Sequence, residues 1–212
     1  MSTQEITNTI NLEKKQSVYG LFQDLYTLIY CMILIPISLY NIIFNTNIIT
    51  TNLDIFSYIY FVVTGVINLY YFEYNFVLHH LVCVNLIWVG TQNSDSLDYY
   101  IWLSYCYLAE ISNIFLSLKN ILKHLRYMGI IQSKNLEFAN DILFASSYLI
   151  IRMCLIFPYT CVYIYNKFQD VNQIKYMNFV LVNIIFMSGL NFYWAYLIIK
   201  KVLRTIGKNK SD

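Results

Sequence analysis

Six stretches of mostly apolar residues take up most of the chain: Leu25 to Phe44, Ile55 to Tyr71, Asn75 to Val89, Tyr99 to Leu118, Ala139 to Tyr165 and Tyr176 to Ile199. A helix needs about 20 such residues to cross the hydrocarbon core of a bilayer, so each stretch is a candidate span, the third being the shortest. Inside hydrocarbon every backbone N–H and C=O must be paired within the protein, and runs of this length do so as helices. Hydrophobic residues make up 58% of the chain and charged residues only 12%, about half the charged share of an ordinary soluble domain. Too little polar surface remains to coat a globule in water. A soluble enzyme, a nucleic-acid binder and a disordered tail are thereby excluded.

The expected fold class is all-α, a polytopic transmembrane bundle of about six spans. No repeat or low-complexity linker divides it, so one transmembrane domain is expected over 25–204. A polar cytoplasmic segment over 1–24 precedes it and a basic cytoplasmic tail over 205–212 follows. No cleavable signal peptide is expected, because the first apolar run ends in Asn45-Thr46-Asn47 and not in a small-residue cleavage site. Charge bias tests the count independently. With six spans both termini share a side with the second and fourth loops, which gathers Lys14, Lys15, Lys119, Lys123, Arg126, Lys134, Lys200, Lys201, Arg204, Lys208 and Lys210. The opposite side holds only Lys167 and Lys175. Basic residues accumulate on the cytoplasmic face, so both termini are expected there. Tyr70, Tyr71, Tyr193 and Trp194 fall toward that boundary, and Trp88, Tyr99, Tyr100, Trp102, Tyr163 and Tyr176 toward the other. Amphipathic rings favour the headgroup level.

Ionisable groups inside a span are costly, so each is a candidate site. Four stand out: His79, His80, Glu110 and Arg152. The two histidines lie roughly 6–8 Å from the cytoplasmic end of the third span at 1.5 Å per residue. Adjacent helical residues diverge by about 100°, which sends the two rings to different neighbours and leaves one of them able to face lipid headgroups. On the fourth span Cys106, Glu110, Asn113, Ser117 and Asn120 recur every three or four residues as one polar stripe. Such a stripe faces another helix or a water-filled cavity. Arg152 is expected at a depth similar to Glu110 on the antiparallel fifth span, where a Glu110–Arg152 pair would reduce the cost of burying both charges. Asn113, Ser117 and Arg152 are thus the binding candidates; His79, His80 and Glu110 are the catalytic ones if the chain is an enzyme.

Counting removes several chemistries. Three histidines are too few for a two-metal membrane desaturase, and no facing helices carry a histidine pair for haem. No Gly-rich phosphate loop, Gly-x-Ser-x-Gly elbow or His-Glu-x-x-His helix occurs. The five cysteines lie in apolar runs without a Cys-x-x-Cys pattern, and are expected as buried thiols. No metal and no cofactor are expected.

The segment Asn75-Phe-Val-Leu-His79-His80-Leu-Val resembles the double histidine that opens a helix in the TLC-domain family. That family includes ceramide synthases, translocon-associated membrane proteins and several lipid-homeostasis proteins. Leu108-Ala-Glu110-Ile-Ser112-Asn-Ile-Phe115-Leu-Ser-Leu-Lys119 is similar to the Glu-x-Ser-x-x-Phe-Leu-x-x-Arg/Lys segment of its non-ceramide-synthase members. Arg152 followed by Pro158, and Trp194 with the basic stretch after it, also fit, so the resemblance runs from about Lys14 to Arg204.

The resemblance implies a lipid-handling or lipid-sensing membrane protein acting in lipid homeostasis, with membrane lipids and other membrane proteins as partners. A first alternative is sphingoid-base N-acylation, with acyl-CoA as co-substrate. A second is a translocation-associated chaperone. The ceramide-synthase His-Asp-x-x-Asp motif is absent where Tyr107, Leu108 and Glu110 stand, and the first span lacks the histidine of related lipid regulators. This weighs against the enzymatic alternative. Location is read from Lys208-Asn-Lys210-Ser-Asp212. This matches the K-x-K-x-x form of the dilysine retrieval signal and points to the endoplasmic reticulum.

Overall fold

The computed structural model describes residues 18–46, 50–93, 96–130, 133–168 and 176–208, where every regular element is a helix. In chain order these are α1 (Val18–Phe44), α2 (Thr50–Tyr70), α3 (Tyr74–Gln92), α4 (Leu97–Tyr107), α5 (Glu110–Tyr127), α6 (Lys134–Ser147), a π-helical segment (Tyr148–Ile156), α7 (Phe157–Phe168) and α8 (Met177–Lys208). Helices α4 and α5 are two halves of one rod, and α6, the π segment and α7 make another, so the described residues form six rods. Five are long and apolar enough to cross a membrane. The sixth, α3, has 19 residues, about 28 Å of helix, but Asn75, His79, His80 and Asn85 dilute its apolar character. Helix α1 begins ahead of Leu25, and α8 runs beyond Arg204 into the expected tail.

Neighbouring rods are antiparallel, and side-chain contacts fix their register. Along α3 against α8 the partners are Phe76 with Trp194, His79 with Met187, Asn85 with Asn183 and Trp88 with Tyr176. Partner numbers fall on α8 as they rise on α3. The α4–α5 rod meets the α6–α7 rod in the same manner, through Ser112 with Arg152, Tyr105 with Tyr159 and Trp102 with Thr160. Helix α1 packs on α2 through stacked Tyr30 and Tyr60, ring centroids 3.7 Å apart. It meets α5 through Cys31 and Glu110.

The bundle is inverted relative to a soluble protein. Ser38, Asn41, Asp54, Ser57, Thr64, Asn68, His79, His80, Glu110 and Arg152 are buried, whereas Ile29, Met32, Ile43, Val66, Val182 and Ile185 lie outside. Lipid solvates such an apolar exterior and will not solvate the polar groups, which therefore turn inward. Several aromatics expected at the headgroups are interior instead. Tyr99 donates to the Leu86 carbonyl at 2.7 Å, Tyr100 to the Gly90 carbonyl at 3.3 Å, and the Trp102 indole to Thr160 at 3.2 Å. Each ring is buried because its polar tip finds an internal acceptor. Trp88 and Tyr176, by contrast, pack on each other and are exposed.

Two irregularities shape the middle of the bundle. Between α4 and α5, Leu108 and Ala109 bond to carbonyls three residues back, Tyr105 and Cys106. The tightened turn interrupts the expected straight stripe between Cys106 and Glu110. The Ala109 carbonyl there is drawn toward side-chain donors, Ser112 Oγ at 2.8 Å and Arg152 Nη2 at 3.1 Å, which disturbs the regular ladder. The second irregularity is the π segment. Pro158 has no N–H for the carbonyl four residues earlier, and its ring crowds that carbonyl in an α-helix. The chain widens just before it, with the Phe157 N–H reaching back five residues to the Arg152 carbonyl.

Candidate functional site: a divided polar cavity

Arg152 projects from the π segment into the α4–α5 break and is 4% exposed. Its Nε donates to Ser112 Oγ at 3.0 Å and Nη1 to Asn191 Oδ1 at 3.2 Å. Nη2 donates to the Ala109 carbonyl at 3.1 Å and to Asn113 Oδ1 at 3.2 Å. The guanidinium also packs on the Tyr148 ring at 5.0 Å, and the Tyr148 hydroxyl donates to the same Asn191 oxygen at 3.2 Å. Four bonds and a ring face replace water around this charge. The expected direct pair with Glu110 is replaced by a bridge. Among the described residues no ion pair joins them; Asn113 donates to Glu110 Oε2 at 2.7 Å while accepting from Arg152. Cys31 donates to the same carboxylate oxygen at 3.7 Å.

His79 and His80 are 7% and 8% exposed, so neither faces headgroups. They diverge as adjacent helical residues must. His79 turns toward α8, with Nδ1 3.1 Å from Met187 Sδ and Nε2 3.7 Å from Cys83 Sγ. A thioether only accepts, so Nδ1 carries the proton and Nε2 takes the Cys83 thiol hydrogen. His80 turns toward α2, with Nδ1 3.4 Å from Asn68 Nδ2 and 3.3 Å from Thr64 Oγ1. Gln23 donates to Asn68 Oδ1 at 3.2 Å, which orients that amide. Asn68 and Thr64 of α2 thus hold His80 Nδ1 between them. The adjacent rings thus engage different helices, His79 with α8 and His80 with α2.

Both histidines line a cavity of about 550 Å³ whose wall also includes Asp24, Asn68, Glu73, Asn113, Ser117, Asn120, Lys123 and Arg152. Its outer residues, Gly20, Glu73, Lys123 and Tyr127, belong to the ends of α1, α5 and the α2–α3 turn, which is the face expected to be cytoplasmic. A second chamber of about 90 Å³ lies deeper and is mostly apolar, with Phe61, Leu86, Leu103, Ile156, Ile184 and Phe192 among its walls. His79 and Arg152 line both spaces. The stripe expected from sequence is divided between them: Asn113, Ser117 and Asn120 face the outer cavity, Cys106 and Glu110 the inner chamber. At the outer rim Asp141 of α6 pairs with Lys119 of α5 and, at 3.2 Å, with Lys201 of α8. Arg126 pairs with Glu137 at 2.9 Å. These contacts tie together the three rods on one side of the opening.

Several polar residues of this interior do not stand out in the sequence, among them His124 of α5, which is buried and lines the outer cavity. Asn191, Asn68 and Thr64 complete the shells of Arg152 and His80, and extending the intramembrane-polar rule from ionisable groups to amides and hydroxyls would have found them. Asp54 precedes the apolar stretch that begins at Ile55, yet it lies in the first turns of α2 and is 3% exposed. The Tyr107 hydroxyl donates to its Oδ1 at 3.4 Å, while Oδ2 lacks a hydrogen-bond partner. All five cysteines are free thiols; Cys31 is buried, but Cys154 and Cys161 lie on the outer face, against the expectation of burial. Among the described residues no group of three His, Cys, Asp or Glu side chains is arranged to hold a metal ion. Lys208 is the last helical residue described, and Lys14, Lys15, Lys175 and Lys210 lie outside the described residues.

No curated protein and no solved structure matched the chain. A family model for the TLC domain matches residues 15–200, a stretch that holds His79, His80, Glu110, Arg152 and both cavities. The chain is a multi-pass membrane protein of the TLC-domain family.

Proposed function

We propose that the protein handles or senses membrane lipids by holding one amphipathic lipid at a time. The polar head occupies the outer cavity and the start of a hydrocarbon chain passes His79 and Arg152. The observation that supports this is the amphipathic wall: Asp24, Glu73, Asn68, Asn120 and Lys123 gather in the outer cavity beside Leu116, Phe144 and Leu197, and beyond His79 and Arg152 only Glu110 still carries a charge among mainly apolar residues such as Phe61, Leu103 and Ile184. A cavity of about 550 Å³ is within the usual range for small-molecule sites. The role belongs to lipid homeostasis, and the endoplasmic reticulum is the proposed location. The nearer kinship with non-ceramide-synthase members is part of the same reading.

N-acylation of a sphingoid base remains the second reading. It is favoured by the place of the His79 imidazole, which lines both spaces at their junction, where a general base would act on an amine. The absence of the His-Asp-x-x-Asp motif from the α4–α5 rod weighs against it. Sphingolipid, phospholipid and acyl-CoA profiles of cells expressing the chain test both readings against a His79→Ala/His80→Ala variant. Lipid handling predicts a shifted profile that the variant abolishes. Acylation predicts, in addition, ceramide formed from added sphingoid base and acyl-CoA in membranes. Identical profiles for wild type, variant and empty vector would overturn both.

A further inference from the structure

We infer that Asp54, Ser57, Ser38 and Tyr30 form a site for one sodium ion, buried between α1, α2 and α4 at the end of the bundle away from the outer cavity. The inference does not depend on lipid binding. Asp54 lies in the first turns of α2, about 6 Å of helix from its start. It is nearly buried, and Ser57, Ser38 and Tyr30 are fully buried. Asp54 and Ser57 share a face of α2, being three residues apart. Tyr107 of α4 donates to Asp54 Oδ1 at 3.4 Å, and the Tyr30 and Tyr107 hydroxyls both come close to Ser57. Helices α1 and α2 are antiparallel, with Gln23 against Asn68 and Thr27 against Tyr60. The same register carries Ser38 to the first turns of α2, at the level of Asp54.

What these groups share is unused oxygen. Asp54 Oδ2, Ser57 Oγ, Ser38 Oγ and Tyr30 Oη are buried and have no hydrogen-bond partner among the described residues. No ion pair among the described residues includes Asp54, and the buried Arg152 guanidinium is bonded elsewhere. A buried carboxylate without a counter-charge is costly. A proton would neutralise it but satisfy a single oxygen, whereas a hard cation draws on the lone pairs of carboxylate and hydroxyls together. One carboxylate among neutral oxygens balances one positive charge; a divalent ion would leave a net charge buried. The four residues line neither cavity, and a close-packed layer leaves room for sodium rather than the larger potassium.

The test uses the full chain in bicelles, unfolded by choline dodecyl sulfate while sodium chloride replaces choline chloride at constant ionic strength. Sodium at about ten times its dissociation constant should lower the unfolding constant of wild type about tenfold, and radioactive sodium should bind to the chain in nanodiscs at about one ion per chain. Asp54→Asn, which keeps size and shape, should abolish both responses. Ser57→Ala, which removes one oxygen, should weaken sodium binding roughly tenfold. Potassium chloride and calcium chloride should have a much smaller effect than sodium chloride. No sodium effect on wild type, or one that survives Asp54→Asn, would overturn the site. Stability that rises as pH falls, equally in sodium and in choline, would assign the layer to a proton and overturn the site as well.

Discussion

Replacing Arg152 with Met removes a charge whose bonds all end on neutral acceptors, and this separates two explanations of why the arginine is there. In a simple ion pair the arginine neutralises Glu110, so Arg152→Met alone is severe and adding Glu110→Gln restores most of the loss. The observed network predicts otherwise. Arg152 donates to Ser112, Asn191, Ala109 and Asn113, and Glu110→Gln repairs none of these. The Asn191 oxygen keeps the Tyr148 hydroxyl as a donor, so the loss is that of four charge-assisted hydrogen bonds, about 1.5–3 kcal/mol each, with the Asn113 oxygen left unpaired, offset in part because no buried charge then needs desolvating. Arg152→Met should therefore lose roughly 3–5 kcal/mol. Glu110→Gln, which keeps an acceptor for Asn113 and Cys31, should lose about 1 kcal/mol or less. The double variant should stay within about 1 kcal/mol of Arg152→Met. Reversible unfolding by SDS in bicelles measures all three. Recovery of the double variant to near wild-type stability would show that neutralising Glu110 was the main role and would refute the network account.

Other consequences are independent of that network. With sodium replaced by choline, Asp54→Asn should leave stability unchanged or raise it by about 1 kcal/mol, because the buried carboxylate accepts a long bond from Tyr107 and keeps an oxygen without a partner; a loss above 2 kcal/mol in the same assay would mean the charge is needed. Tags at Met1 and Asp212 should both be cytosolic while a glycosylation acceptor near Asp95 is modified, since this places eleven basic residues inside; a modified terminal tag would break the six-span topology. Changing Lys208 and Lys210 to Ser should release the protein toward the Golgi or cell surface, whereas changing Lys200 and Lys201 should not. Unaltered reticular staining in the first variant would remove the dilysine argument.

Hydrophobic run lengths sufficed for the rods because burying backbone in lipid admits few solutions. The shared level of Glu110 and Arg152 along the bundle was also legible, since level depends only on position along a helix. Direction around the helix was not. It depends on which rod lies beside which, so the burial of both histidines, the turn of Asp54 into the core and the interior placement of Trp102 became visible only with the packing. The Asn113 bridge was hidden for a further reason. Periodicity put Asn113 and Glu110 on one face, but the tightened turn at Leu108–Ala109 and the widened turn before Pro158 set where Arg152 arrives. Pro158 announced a disturbance without specifying its form.

The account's central claim is that a lipid lies across the His79–Arg152 junction. A single-chain lipid carrying a photoactivatable group near its head, with the cross-linked peptides identified by mass spectrometry, tests this most directly. The cross-links should fall on the outer cavity wall, on peptides containing Asn113 to Asn120 of α5 and Asn68 to His80 of the α2–α3 region, and excess unlabelled lipid should compete them away. Labelling confined to outward-facing residues such as Ile43, Val66 and Ile185, unaffected by competitor, would contradict it.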